Sequence, residues 1–528
     1  MIVLDSEQRR YLEDTFGERV NLDIHERRLY SHDIAAIPKL VKPLVGNTTP
    51  SAVVQPESEE ELVELVRWAG RQGIPLVPRG KASSGYGGAV PVGGGIVVDF
   101  FRMKDVLGID GGGGTVTVEP GISWEQLDRR LAPSGLTLRL YPSSYPSSTV
   151  GGWLAQGGAG FGSYEYGYFS ENVVSARVVR PDGEVSDYSG RELDLVADAE
   201  GITGFITSVT LRVQPLEELE VAAVGCMSAG DLQGLLEAVV EEDLPVWSVV
   251  FINPRMAEMR NEVPLSGHGA DGEGGRVTLP ASYIATITFR KRDSKKVRSA
   301  LAELLPRCGA RMLSEEIANH EWANRFKIML VKRLGPSLVP SEVVVPLSAL
   351  GKVMDEIEKK VHQPVLKEGI VVRRGDGGEP EAVLLGFIPS DERRFSYNFM
   401  FALSLSVMKI AEANLGRPYA TGLYFTKKVE ETLGTERTAR LRSFKKQHDP
   451  GRIMNPGKVI DRNALALAIS LAGALEPIAR PVANLAKTRV GEMPGGEVRG
   501  IPGDVAWYAY SCSQCGYCVD DCPQFSAR

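Results

Sequence analysis

Cysteine is scarce, at six residues in a chain of 528, and histidine is equally scarce at six. A disulfide-stapled secreted scaffold is thereby excluded, because such folds are short and cysteine-dense. Charge of one sign is also missing. Sixty basic against 67 acidic residues give a net charge of -7, without the basic excess that phosphate backbones demand, so no nucleic-acid partner is expected. No long hydrophobic run occurs. The most apolar stretch, Ala464 to Leu475, stops at Glu476-Pro477 and is too short to span a bilayer. No transmembrane segment is expected, and membrane contact runs at most through a partner. The stretch reads as a core helix or a docking surface, with a helix lying on a membrane as the third option. The segment Met1 to Arg10 has no apolar core behind a positive start, so no secretory signal is expected. These absences point to a reducing cytoplasm. What remains is ordinary globular composition, 43% hydrophobic and 24% charged, with length for about three domains.

Four of the six cysteines sit close together at the C-terminal end. Cys512, Cys515, Cys518 and Cys522, followed by Pro523, have the spacing C-x2-C-x2-C-x3-C-P of an iron–sulfur ligand loop. Thiolates so spaced converge on one face of a cubane. Structural zinc sites instead set two Cys-x2-Cys pairs well apart, and disulfides need an oxidising compartment. These four are the expected metal ligands of a 4Fe-4S cluster, and the chain is expected to move single electrons. In two-cluster ferredoxins the fourth cysteine of each run ligates the other cluster. With one run, either the four hold one cluster alone, or the rest of a ferredoxin unit lies on another chain or beyond this end.

Upstream, the hydrophobic pattern predicts both helices and strands. Leu62, Val63, Leu65, Val66 and Ala69 lie at helical spacing between a Ser58 start, with Glu61 three residues on, and a Gly73 stop. Strands are predicted at Ile74 to Val77, Gly95 to Asp99, Val116 to Glu119, Val173 to Val179 and Phe205 to Val213, with a helix at Trp124 to Leu131. Past Pro215, helices are predicted at Ala229 to Glu242, Lys295 to Leu305 and Leu347 to Val361. Further strands are predicted at Val246 to Phe251, Ser282 to Phe289 and Glu342 to Val345. This irregular mixture gives an α+β class. The proline- and glycine-punctuated stretch Asp461 to Pro502 reads as a linker that holds the apolar helix and carries the cluster on an arm. The expected units are an N-terminal segment at 1–44, a first α+β unit at 45–216, a second at 217–460, the linker at 461–505 and a ferredoxin-like cluster segment at 506–528.

Two tracts of small residues carry the binding chemistry. Pro78-Arg79-Gly80-Lys81-Ala82-Ser83-Ser84-Gly85-Tyr86-Gly87-Gly88 lets successive backbone N–H groups approach an anion, although in isolation such a loop is as often a surface turn. It matches neither G-x-G-x-x-G nor a Walker loop, so Rossmann and P-loop readings fail. The second tract runs from Pro142 to Gly152, through Gly160, to Tyr166-Gly167, and two such tracts suit an extended dinucleotide. The sequence shows P-R-G-x-x-S/T-G-x-x-G-G at Pro78 to Gly88 and P-S-x-x-P-S-x-T-V/I-G-G at Pro142 to Gly152. It also has G-x-x-G-x-I-T at Gly201 to Thr207 and D-P-x-x-x-x-N-P-G-K at Asp449 to Lys458. With these motifs the chain resembles the FAD-binding proteins of the vanillyl-alcohol oxidase and p-cresol methylhydroxylase superfamily.

The resemblance implies FAD held between two α+β subdomains, a cap of the FAD-linked oxidase C-terminal type over the flavin, and a small-molecule substrate between them. It implies cofactor contacts from Arg79, Gly80, Lys81, Ala82, Ser83, Ser84 and Gly85, and from Pro142, Ser143, Thr149, Gly151, Gly152, Gly160, Tyr166 and Gly167. Gly204, Ile206, Asn455 and Lys458 complete the implied set. Neither tract contains histidine, so non-covalent FAD is expected. Within the superfamily the chain is similar to FAD-linked D-2-hydroxyacid dehydrogenases of the D-lactate dehydrogenase and glycolate oxidase subunit types. That branch implies a divalent metal on H-x-x-G-D-G-N-x-H, which is not recognisable here. His268, in the GHGADGEGG stretch from Gly267 to Gly275, reads more simply as part of a surface loop.

The branch also implies a carboxylate-binding arginine in W-x-x-R. Trp322 to Arg325 matches it, making Arg325 the candidate substrate ligand, with a helix-surface salt bridge as the alternative. His320, four residues after Glu316, is the candidate base with an orienting carboxylate, with an exposed pair of helix neighbours as the commoner alternative. Tyr424, with Tyr419 and Arg417, falls where the family brings C-terminal residues to the flavin. Two functions follow as expectations. One is a dehydrogenase passing electrons from a small 2-hydroxy acid or related alcohol through FAD and the cluster to an iron–sulfur or other electron-carrier partner. An oxidase discharging to oxygen has no use for such an exit. The other is an electron-relay subunit of a heterodisulfide-reductase-like complex, which the missing metal motif supports.

Overall fold

The computed structural model describes residues 2–34, 37, 39–263, 277–335, 337–374, 378–391, 394–485, 497–498 and 500–502. The loop around His268 and the four cysteines of the C-terminal run lie outside the described residues.

Three larger sheets organise the chain. In the first, Ala52–Val54, Ile96–Asp99 and Leu76–Arg79 run parallel, with Val20–Asn21 antiparallel at one edge. The helix Glu59–Gln72 connects two of these strands, and local chemistry explains its bounds. The Ser58 hydroxyl accepts from the Glu61 amide at 3.3 Å, three glutamates face the positive end of the dipole, and Gly73, at φ 64°, closes the last turn left-handed. Leu62, Leu65 and Val66 are buried on one face, each contributing about 1.5–3 kcal/mol. The second sheet is antiparallel, in the order Val106–Asp110, Thr115–Val118, Phe205–Pro215, Val173–Val179, Val185–Ser189, with Leu136–Leu138 also paired to Phe205–Pro215. Trp124, Trp153 and Phe169 share its core, the last two stacked at 4.3 Å.

Residues past Pro215 build a nine-stranded antiparallel sheet, the cap. Its strands Val246–Ile252 and Leu366–Val372 are buried along their whole length. A sheet covered on both faces has no polar side to show. Helices Ala229–Glu241, Leu350–Lys360 and Tyr397–Glu412 cover one face, receiving Val249 and Phe251. Trp247 and Val250 pack instead with Ala159 and Phe161 of the first unit. Across that seam Trp247 Nε1 donates to Arg139 O at 3.1 Å, and Arg290 pairs with Glu165 at 2.9 Å.

After the cap, helix Thr435–His448 returns the chain to the first unit. There Leu76 N donates to Ile453 O and Asn455 N donates to Leu76 O, both at 2.8 Å. The α+β class holds, and Trp124–Leu131 and Val173–Val179 form over the predicted residues. Helix Tyr397–Glu412 has no helical period to read, because it is buried nearly all round. Of the stretch expected as a linker, Asp461 to Pro502, residues 461–485, 497–498 and 500–502 are described. Its apolar helix, Ala464–Ala474, is followed by a second, Glu476–Leu485, bent 84° from it. The pair packs on Tyr397–Glu412, where Ser406 donates to the buried Glu476 and Lys409 lies 3.7 Å from the same carboxylate. Leu467, Leu471, Leu475 and Ile478 are exposed on the outer face. Among the described residues no single helix is long and apolar enough to cross a membrane.

Candidate functional site

Three stretches of the first unit, 78–89, 144–156 and 200–206, meet around one cleft enclosing about 880 Å³, its open mouth included. Glycine is required where the walls touch. A Cβ on Gly80 would stand 2.5 Å from Thr149 Oγ1, and one on Gly151 2.4 Å from Pro120 Cβ. Larger residues would hold the two tracts apart.

Of the residues expected to hold cofactor, Arg79, Gly80, Lys81, Ala82, Ser83, Ser84, Thr149, Gly151, Gly152, Gly204 and Ile206 line this cleft. Arg79 has its guanidinium engaged elsewhere, donating to His32 O at 3.0 Å and lying over the Tyr30 ring. Gly85, Pro142 and Ser143 line a second cavity, described below. Gly160, Tyr166, Gly167, Asn455 and Lys458 line neither. Gly160 lies tight against Tyr141 O. Tyr166 belongs to the seam, donating to Gln214 Oε1 at 2.8 Å and accepting from Arg290 at 2.9 Å, and Gly167 ends the short helix Ser163–Tyr166. Asn455 and Lys458 act from behind the wall. Asn455 Nδ2 donates to Gly88 O at 3.0 Å, and Lys458 Nζ to Val90 O at 2.7 Å.

The second cavity continues from the first, and Ser83, Ser84, Ser144, Trp153 and Gln156 line both. Its far side is the cap, through Ile328, Met329, Glu342, Leu385, Phe387 and Tyr419. Burial lifts the Glu342 carboxyl to about 7, with Tyr86 and Lys367 pulling the other way. Lys367 is fully buried, lowered to about 7 by burial, and donates to Ser341 Oγ at 3.1 Å. Glu342 was not singled out in the sequence, where it stands only as the first residue of a predicted strand.

The three substrate-side candidates lie elsewhere. Arg325 lies 3.8 Å over the Trp322 ring and donates to Trp322 O at 2.6 Å. It lines a small cap cavity with Arg260, Glu321 and Glu368, one wall of which, Ile328, is shared with the second cavity. His320 meets Glu321 at 3.2 Å, and its expected partner Glu316 is exposed. The reason is Arg260, which draws Glu321 inward at 2.7 Å. Burial raises Glu321, but Arg260 and His320 outweigh it and hold the carboxyl below its usual range. Tyr424 is in the cap core against Phe401, whereas Tyr419 reaches the cavity. Arg417 pairs with Glu381 at 3.2 Å. Among the described residues no group of three or more His, Cys, Asp or Glu could hold a metal ion.

A glycine-walled dinucleotide cleft under an antiparallel cap defines a two-domain flavoprotein. Residues 50–189 match the model of the FAD binding domain, and residues 217–459 match that of the C-terminal domain of FAD linked oxidases. The chain belongs to the FAD-linked oxidoreductases that join these two domains. It is 27% identical to the mitochondrial D-lactate dehydrogenase [cytochrome] of Arabidopsis thaliana, over 78% of this chain and 73% of that one. It is 24% identical to glycolate oxidase subunit GlcD of Bacillus subtilis, over 83% of this chain and 93% of that one. Among solved structures, substrate-bound p-cresol methylhydroxylase superposes with a TM-score of 0.72 at 15% identity, covering 87% of this chain and 98% of that one. Alkyldihydroxyacetonephosphate synthase superposes with 0.68 at 19%, covering 86% and 85%. Likeness at that identity fixes the fold. FAD fits the cleft by its small-residue walls, whose glycines leave room that a Cβ would close.

Proposed function

We propose that the chain is an FAD-dependent dehydrogenase that oxidises a small 2-hydroxy acid, D-lactate- or glycolate-like, or a related alcohol. Electrons leave through a 4Fe-4S cluster on Cys512, Cys515, Cys518 and Cys522 to an electron-carrier partner. The observation that carries this reading is the passage from the dinucleotide cleft into a cavity under the cap, with shared lining residues. FAD, when bound, supplies an acceptor for two electrons that are given up one at a time, which suits a single-electron exit. The chain's own residues do the rest. Ser83, Ser84 and Gln156 stand where cofactor and substrate meet. Glu342, buried and poised near neutrality, is placed to take the proton of a substrate hydroxyl on its carboxylate. Ile328, Met329, Leu385 and Phe387 keep water out. The likeness to D-lactate dehydrogenase and GlcD supports the substrate class. The cysteine spacing supports the cluster.

A second reading, the relay subunit of a heterodisulfide-reductase-like complex, is favoured by the cap side of that cavity, where Glu342 and Tyr419 are the polar residues among apolar ones. Anaerobic flavin bleaching against D- and L-2-hydroxy acids separates the two, with the cluster followed by electron paramagnetic resonance in wild type and Cys515→Ser. Bleaching by one compound is the expected result. No bleaching by any, with a cluster that dithionite reduces, moves the assignment to the relay. Unchanged iron in Cys515→Ser removes the cluster from both.

A further inference from the structure

Glu200 sits in the turn before strand Phe205–Pro215, at the third wall of the FAD cleft. It is 8% exposed and also lines a polar cavity on the other side, with Asp198, Tyr419 and Arg437. Its Oε1 is buried and, among the described residues, has no hydrogen-bond partner. The opposite wall is cut away for it, since a Cβ on Gly88 would stand 2.0 Å from its Oε2. Its backbone is held in the left-handed region at φ 49°, where non-glycine residues are uncommon. Asn455 clamps it there from the returning loop, donating to Glu200 O at 2.6 Å. A constrained side chain in a cofactor cleft, with an unused buried oxygen, is arranged to meet a ligand.

The charges around it say in which form. Lys458 faces it from the returning loop but directs its ammonium to Val90 O. Asp33 faces it from the N-terminal segment and Asp198 from its own turn, the latter paired with Arg437 at 3.0 Å. Arg79 and Lys81 line the same cleft. Burial, opposed by Lys458 and reinforced by Asp33 and Asp198, lifts the Glu200 carboxyl to about 8, and burial lowers Lys458 to about 7. Near neutral pH Glu200 therefore rests mostly as the neutral acid, while Lys458 is divided between its charged and neutral forms.

We propose that Glu200 is an FAD-binding residue that acts as the neutral acid, donating its carboxyl proton to an acceptor atom of the dinucleotide. The inference rests on FAD occupying the cleft and adds a pH gate to it. Once ionised, the same group sets a negative charge beside an anionic pyrophosphate. Flavin-stripped protein titrated with FAD by fluorescence quenching from pH 6 to pH 9.5 tests it, in wild type, Glu200→Gln and Glu200→Ala. Wild-type affinity should weaken above about pH 8 by up to tenfold per pH unit, the slope of one proton. Glu200→Gln, neutral throughout and still a donor, should keep its neutral-pH affinity and flatten the curve. Glu200→Ala should also be flat, and about two- to tenfold weaker at pH 7. A wild-type curve parallel to that of Glu200→Gln overturns the proposal and leaves the FAD site standing. Wild type that binds no FAD at pH 7 overturns the site and the proposal together. Should the variants not fold, the wild-type curve decides alone, and affinity that stays level to pH 9.5 overturns the proposal.

Discussion

Replacing Lys445 by methionine tests what holds the returning loop against the cofactor cleft. Lys445 is 5% exposed; its ammonium donates to Ile202 O at 2.9 Å and Met454 O at 2.5 Å, and pairs with Asp449 at 2.5 Å. Asp449 in turn accepts from the amides of Ile453 at 2.9 Å and Met454 at 3.1 Å. Methionine nearly matches the lysine stem, so packing changes little and the countercharge is what disappears. Breaking a buried pair from one side costs about 3–5 kcal/mol, because the other charge stays buried alone. At about 1.36 kcal/mol per decade, that is two to four powers of ten in the local opening equilibrium. Native-state hydrogen exchange reads it directly. Amides in 449–459 should exchange faster by about that factor, up to the limit set by global unfolding, while the cap strand Val246–Ile252 changes less than tenfold. Adding Asp449→Leu should recover part of the loss, since the stranded carboxylate is then gone. A change below tenfold in 449–459, or equal acceleration throughout the protein, refutes the clamp.

Two further outcomes are expected. Gly151→Ala sets a methyl 2.4 Å from Pro120 Cβ, where neither backbone can yield cheaply. The ratio of flavin to protein absorbance should fall at least about tenfold with the far-ultraviolet circular dichroism unchanged. Glu368 is buried with its Oε1 unpartnered among the described residues, and burial, opposed by Arg260 and reinforced by Glu321, lifts its carboxyl to about 8. A carboxyl with a raised folded pKa binds its proton more tightly in the native state, so its effect on stability is least adverse below about pH 4.5 and worsens as the pH climbs to about 8. Glu368→Gln removes that loss, so its thermal midpoint relative to wild type should be higher at pH 8 than at pH 5; the same difference at both would contradict the assignment.

The cofactor cleft is legible in the sequence because its chemistry is backbone chemistry. Loops that must touch demand small residues at fixed spacing, and Gly80, Thr149 and Gly151 meet that demand in a string that can be read. Side-chain chemistry leaves no such string. Glu342 and Lys367 become neighbours because Val343–Pro346 and Leu366–Val372 flank the same strand, Glu381–Ser390, and nothing in their spacing announces it. His320 shows the limit of helical neighbours: Glu316 has the right interval, yet Arg260 on another helix decides that Glu321 is the partner. Tyr419 and Tyr424 flank a stretch of turns, where no period says which one faces the cavity. The four cysteines are the reverse case, a strong spacing signal outside the described residues.

The returning loop also sets an order of assembly. The strand Leu76–Arg79 lies at the edge of its sheet, and residues 453–455, from the far side of the cap in sequence, cover that edge at Leu76. A nascent chain therefore exhibits most of the cleft long before it owns the piece that backs it. Closing so long a loop is slow, even though its entropic cost rises only gently with length. Until closure, an apolar parallel edge is open to pairing with other chains, which is where a growing polypeptide is prone to aggregate. Stable flavin capture then waits until residues 453–455 have reached the first sheet.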